Sequence, residues 1–221
     1  MALGLNYEAG GGEDILPIVK YDARSGRIVR VDREEGTSED VDITKTFEAV
    51  FDFENIETGH ISFGTGRGPQ FHMAKLGDTP TRPPSEDFKP GFRLMVKLGS
   101  ACGGGEPREI ASTAKACIDG VNKLHDDYLA GVRDNPGKLP VVVLEDTRAK
   151  KTEGKNQTST NYIPVFKITR WVSRPPALVP VFRGALKAGA AASTSGPPST
   201  GGGRAAAPPP PAGGDDDDAF G

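Results

Sequence analysis

Leu139-Pro-Val-Val-Val-Leu144 and Tyr162-Ile-Pro-Val-Phe-Lys-Ile-Thr-Arg-Trp-Val172, held apart by the polar run 146–160, are the stretches that decide the fold. A continuous Val-rich run of the first kind reads as a strand buried on both faces. The second is long enough for a full strand. Side-chain alternation places its Tyr162, Phe166 and Ile168 on one face, and Lys167, Thr169 and Trp171 on the other. The first set is expected in the core. A cation beside an indole suits a wet binding surface, and a core position suits a lone Trp equally well. The intervening run carries Arg148, Lys150, Lys151 and Lys155 and is expected as a flexible loop.

Upstream, Gly103-Gly-Gly is followed by Pro107, a residue tolerated early in a helix. Ile110, Ala114, Cys117, Ile118, Val121, Leu124 and Tyr128 then recur at spacings of three and four. They predict an amphipathic helix of about six turns ending near Gly131. Earlier still the period is two. Residues 15–21 and 27–33 flank the turn-rich 22–26 and read as a hairpin. Phe47, Ala49, Phe51 and Phe53 alternate with Glu48, Val50, Asp52 and Glu54, giving one aromatic and one mostly acidic face. Further strands are expected over 60–63, 70–75 and 92–98, with Pro80, Pro83, Pro84 and Pro90 marking a loop. The chain is therefore expected to be mainly β with one long helix. Its order of strands, helix, strand, basic loop and strand is that of an OB-fold-like barrel, to which the 15–33 hairpin is an addition.

The net charge of −3 does not by itself point to nucleic acid, but its distribution is uneven. Residues 1–57 hold 14 acids and 6 bases, whereas residues 138–182 hold 8 bases and 3 acids. Basic character thus gathers at the end of the body. No apolar run approaches the 18 or so residues of a membrane span, and the N-terminus lacks the pattern of a signal peptide. Cys102 and Cys117 stand apart, outside any metal-binding spacing, which suits a reduced cytoplasmic protein; Cys117 is expected inside the helix core.

From Gly184 to Pro211 the chain is almost wholly Ala, Gly, Pro, Ser and Thr, a composition with too little apolar area to offset its ordering entropy. Gly213-Gly-Asp-Asp-Asp-Asp-Ala-Phe-Gly221 follows. The expected organisation is a body over 1–182, a disordered linker over 183–212 and an acidic tip over 213–221. This layout resembles the phage and bacterial single-stranded DNA-binding proteins, whose acidic tips end in an Asp run and a Phe. Here Gly221 follows the Phe. The resemblance implies capture of Asp215, Asp216, Asp217, Asp218 and Phe220 by replication or repair proteins, and residence in the host cytoplasm.

Single-strand binding needs cations along the phosphates and aromatic faces for the bases. Arg148, Lys150, Lys151, Lys155, Lys167 and Trp171 are the first candidates, with Arg93 and Lys97 on an earlier strand. Arg67 sits in Gly64-Thr-Gly-Arg-Gly68, which reads first as a tight turn and second as a loop letting phosphate approach the backbone. Signs of catalysis are poor, because His60, His72 and His125 are scattered and no nucleophile or cofactor motif accompanies them. Most acids of the first third are expected on solvated faces. The expected function is sequence-independent, non-enzymatic single-stranded DNA binding with no cofactor, in replication, recombination and repair. The alternatives are a β-rich interaction adaptor and a metal-dependent nuclease.

Overall fold

The structure is a computed structural model that describes residues 16–34, 37–64, 69–80, 82–83, 85–153 and 158–179. Arg67, Lys155, the linker and the acidic tip lie outside the described residues. Among the described residues ten strands form one sheet: β1 (Ile18–Asp22), β2 (Arg27–Glu34), β3 (Thr37–Asp42), β4 (Glu48–Phe51), β5 (Glu57–Ser62), β6 (Gln70–Lys75), β7 (Lys89–Leu98), β8 (Arg108–Ser112), β9 (Lys138–Glu153) and β10 (Thr158–Ser173). The helix α1 spans Lys115–Gly131. The protein is mainly β with one long helix, as its two periodicities predict.

The strand order is β10-β9-β4-β7-β8-β1-β2-β3. β7 is longer than β4 and pairs with it only through Val96–Leu98; its other half pairs with β5, which pairs in turn with β6. The sheet does not close into a barrel by strand pairing. Its two flanks do come within one hydrogen bond, Tyr162 N donating to Ala23 O at 2.7 Å. The early hairpin is no appendage either, because β1 pairs in parallel with β8 and carries β2 and β3 onto the same sheet.

Phe47, Ala49, Phe51 and Phe53 all point inward, each no more than 3% exposed, so the aromatic alternation reads the core correctly. Phe166 packs 6.0 Å from both Phe47 and Phe51, and Phe53 lies 5.1 Å from Tyr128 on α1. Each such ring contributes roughly 1.5–3 kcal/mol by burial. Cys117 is buried in the same core as expected, and burial pushes its thiol pKa up to about 12. Among the described residues no helix is long and apolar enough to cross a membrane.

Three expectations are corrected. The helix starts at Lys115, not near Pro107, because Ile110 belongs to β8 and faces the core opposite Leu94. Ala114 N donates to Ser112 Oγ at 3.1 Å, the turn that separates strand from helix. Much of the basic run 146–160 is strand, not loop: β9 and β10 pair out to Glu153 and Thr158. Lastly, bulges between Val165 and Phe166 and between Ile168 and Arg170 break simple alternation. The second, at Thr169, returns Trp171 to the side of Ile168, and both pack against the core.

Candidate nucleic-acid interface

The helix α1 lies along β10 and touches it closely at two glycines. A Cβ on Gly120 would stand 2.5 Å from the Pro164 ring and 2.6 Å from its carbonyl, and one on Gly131 would stand 2.7 Å from the Trp171 indole. Only glycine permits both approaches, which accounts for two glycines in a helix that otherwise disfavours them. Between these points helix and strand part, leaving a groove of about 670 Å³. Ile163, Phe166, Ile168 and Trp171 form its apolar floor, and Lys123 and Asp127 stand on the helix side. Trp171 is half-buried, with its ring 5.7 Å from that of Tyr128.

Four of the expected binding residues meet here. Arg148, Lys167 and Trp171 line the groove, and Lys150 reaches α1 at its end, 3.3 Å from Asp119 Oδ2. Lys115 and then Lys150 hold the Asp119 carboxyl below the usual carboxylate range. Lys167 lies 2.7 Å from Glu145, which raises its pKa, and Lys123 lies 2.5 Å from Asp127 with the same effect. All these cations are exposed, so such pairs are worth little in stability. Lys151 is exposed too, but strand alternation turns it to the opposite face of the ribbon from Arg148 and Lys150.

The remaining candidates lie elsewhere. Arg93 is buried in the sheet at 2% exposure, with Nε 2.6 Å from Glu57 and Nη1 3.5 Å from Glu109, so it cannot meet a phosphate from solution. Lys97, on β7, donates to the Gly105 carbonyl. The acids of the first third are also not uniformly solvated, since Asp52 and Glu57 are buried. Glu48 takes a bidentate pair from Arg170, both contacts at 2.9 Å, which lowers its pKa. Arg174 binds Asp52 and Glu54. Sequence reasoning singled out neither arginine, although both belong to the late basic cluster.

Among the described residues no group of three or more His, Cys, Asp or Glu is placed to hold a metal ion. Comparison of the chain with protein-family models, curated proteins and solved structures finds no match.

Proposed function

We propose that this chain is a sequence-independent single-stranded DNA-binding protein that serves replication, recombination and repair and recruits partners through its acidic tip. The observation that carries the reading is the half-buried indole of Trp171 on the floor of a groove lined by Arg148 and Lys167, with Lys150 at its end beside Asp119. Bases stack on such a ring for roughly 1–3 kcal/mol each, whatever their sequence. The weak surface pairs of Lys150 with Asp119 and of Lys167 with Glu145 act as placeholders that a phosphate can replace. Free, buried Cys102 and Cys117 suit a reducing cytoplasm.

A second reading, a peptide-binding adaptor, is favoured by the three carboxylates Asp119, Asp127 and Glu145, which offset the cations around the same groove. Titration of oligo-dT followed by Trp171 fluorescence across a range of salt separates the two. The DNA reading requires a fluorescence change and a steep fall of affinity with salt, at about −0.7 in log–log slope per phosphate. An adaptor leaves the signal flat.

A further inference from the structure

The acidic first third of the chain gathers its bases in one place. Residues 20–30 hold Lys20, Arg24, Arg27 and Arg30 against the single acid Asp22. They form the β1–β2 hairpin, whose turn is closed by Gly26 N donating to Asp22 O at 2.8 Å, with Gly26 at a φ of +70° that favours glycine. The Asp22 carboxylate is taken up by that turn, accepting from Arg24 N at 2.9 Å and from Ser25 Oγ at 2.6 Å. Arg27 is turned toward Asp42, and Arg30 toward Asp32. Arg24 stands exposed at the tip.

The fold carries this tip to Tyr162 on the β9–β10 ribbon. Tyr162 N donates to Ala23 O at 2.7 Å and Tyr21 Oη donates to Tyr162 O at 2.8 Å, so the hairpin grips both polar groups of the Tyr162 backbone. Gly26 lies against the root of the half-buried ring: a Cβ there would stand 3.1 Å from Tyr162 Cβ and 3.2 Å from its Cγ. The ladder sets Ala149 opposite Tyr162 and Lys151 opposite Thr160, so exposed Lys151 shares a face of the ribbon with Tyr162, while Arg148 and Lys150 occupy the other. An aromatic ring with exposed cations from two separate elements beside it is the combination that single-strand binding needs.

We propose that this reverse face of the ribbon is a second station for the same single strand. A strand that leaves the Trp171 groove past Lys150 continues onto Tyr162, lays a base against its ring, and passes its phosphates to Lys151 and Arg24. The inference rests on the single-strand reading of the groove and extends it to a surface that only the closure of β1–β2 onto β10 assembles. Because the hairpin holds the Tyr162 backbone before anything binds, little ordering remains to be done there on binding.

Titration of the full chain with oligo-dT of about 4 and about 16 nucleotides, followed by Trp171 fluorescence, tests it, the two lengths bracketing what one such domain covers. The wild type should bind the longer oligomer more tightly. Combining Arg24→Ala with Lys151→Ala removes both cations and keeps the turn, since Arg24 bonds Asp22 through its backbone nitrogen. That variant should bind the short oligomer as the wild type does, and the long one more weakly, with a log–log salt slope smaller by about 1.4, the share of two phosphates. Tyr162→Leu, which keeps the Cβ and Cγ against which Gly26 rests, should lose about 5- to 150-fold on the long oligomer alone. Equal losses on both lengths, or none on the long one while Trp171→Ala still weakens it, overturn the second station and leave the groove standing. A chain that takes up neither oligomer overturns both.

Discussion

Arg174 grips the fully buried carboxylate of Asp52 with both terminal nitrogens, at 2.6 and 2.8 Å, across 122 positions of sequence. Asn55 Nδ2 donates to the same carboxylate at 3.0 Å, so little of its hydrogen-bonding capacity is left to water. Four residues on, Leu178 is 1% exposed between Met95 and Leu139. The segment after β10 is thus strapped to the outer face of the sheet by one ion pair and one apolar plug. Arg174→Ala leaves a buried charge without its cation and should cost about 3–5 kcal/mol in denaturant unfolding. Asp52→Asn should cost less, because Arg174 keeps Glu54 at 2.7 Å.

Trp171 is the chain's single tryptophan, so its fluorescence reports on the groove alone. If bases stack there, Trp171→Ala should weaken oligo-dT binding by roughly 1–3 kcal/mol, about 5- to 150-fold. Trp171→Phe should restore most of that loss. An unchanged affinity in Trp171→Ala would move the stacking platform away from the groove.

Arg148, Lys150 and Lys151 differ in what they face, and so should their variants. Arg148→Ala and Lys150→Ala should each weaken binding to all sequences alike and reduce the salt slope by about one phosphate's share. Lys151→Ala, on the reverse face of the ribbon, should do so only if the strand wraps around it. Filter binding at several salt concentrations distinguishes these outcomes. None of the three should shift the melting temperature, since exposed charges contribute little to stability.

Much of this architecture can be read from sequence, and the rest is hidden for identifiable reasons. Phe47, Ala49, Phe51 and Phe53 show their strand because all four face the core, whereas Glu48 and Val50 between them are only partly buried and Glu54 is exposed. The ribbon beyond Leu144 shows nothing comparable, because it extends past β4 and neither face is buried enough to impose alternation. Ile110 precedes Ala114 by four residues, a spacing a helix would share, so only its pairing with Leu94 places it in a strand. Arg93 reads as a surface cation until Glu57 and Glu109 are brought to it from two neighbouring strands. Gly120 and Gly131 were the available sign of the groove, since glycine within a helix often marks a close approach.

His125 sits half-buried against Phe53, ring centres 5.4 Å apart, and burial lowers its pKa below the ordinary 6.5. The neutral imidazole is the form the fold accepts. As pH falls through the interval between the unfolded value and the lowered folded one, the unfolded chain takes up the proton first. Stability is therefore complete above about pH 6.5 and declines below it. His125→Phe should flatten that part of the curve, leaving only the loss at lower pH from carboxylates such as Asp32 and Asp119. Thermal melts between pH 5 and 8, in about half-unit steps, would show the difference.

The acidic tip offers a separable experiment. Deleting residues 215–221 should abolish capture of a replication or repair partner while leaving oligo-dT binding intact or stronger, since four carboxylates no longer compete with phosphate. Phe220→Ala should lose most of the capture, roughly 1.5–3 kcal/mol, with DNA affinity unchanged. Pull-down and titration of both variants would assign the two effects. Normal recruitment by Phe220→Ala would reduce the tip to a solubility tail.

The four-residue step from Glu48 to Asp52 is matched by the step from Arg170 to Arg174, and each acid meets its arginine over a separation of 122 residues. During synthesis β4 therefore leaves the ribosome long before the cations that neutralise it. Until residue 174 is free, Asp52 can stay hydrated only if that end of β4 remains undocked, so the sheet cannot close around it as it emerges. Docking of that end of β4 waits for Arg174, and the emergence of residues 174–178 sets the moment at which the fold locks. A nascent chain stalled before position 174 should remain open to protease near Asp52, and one stalled well beyond Leu178 should resist it.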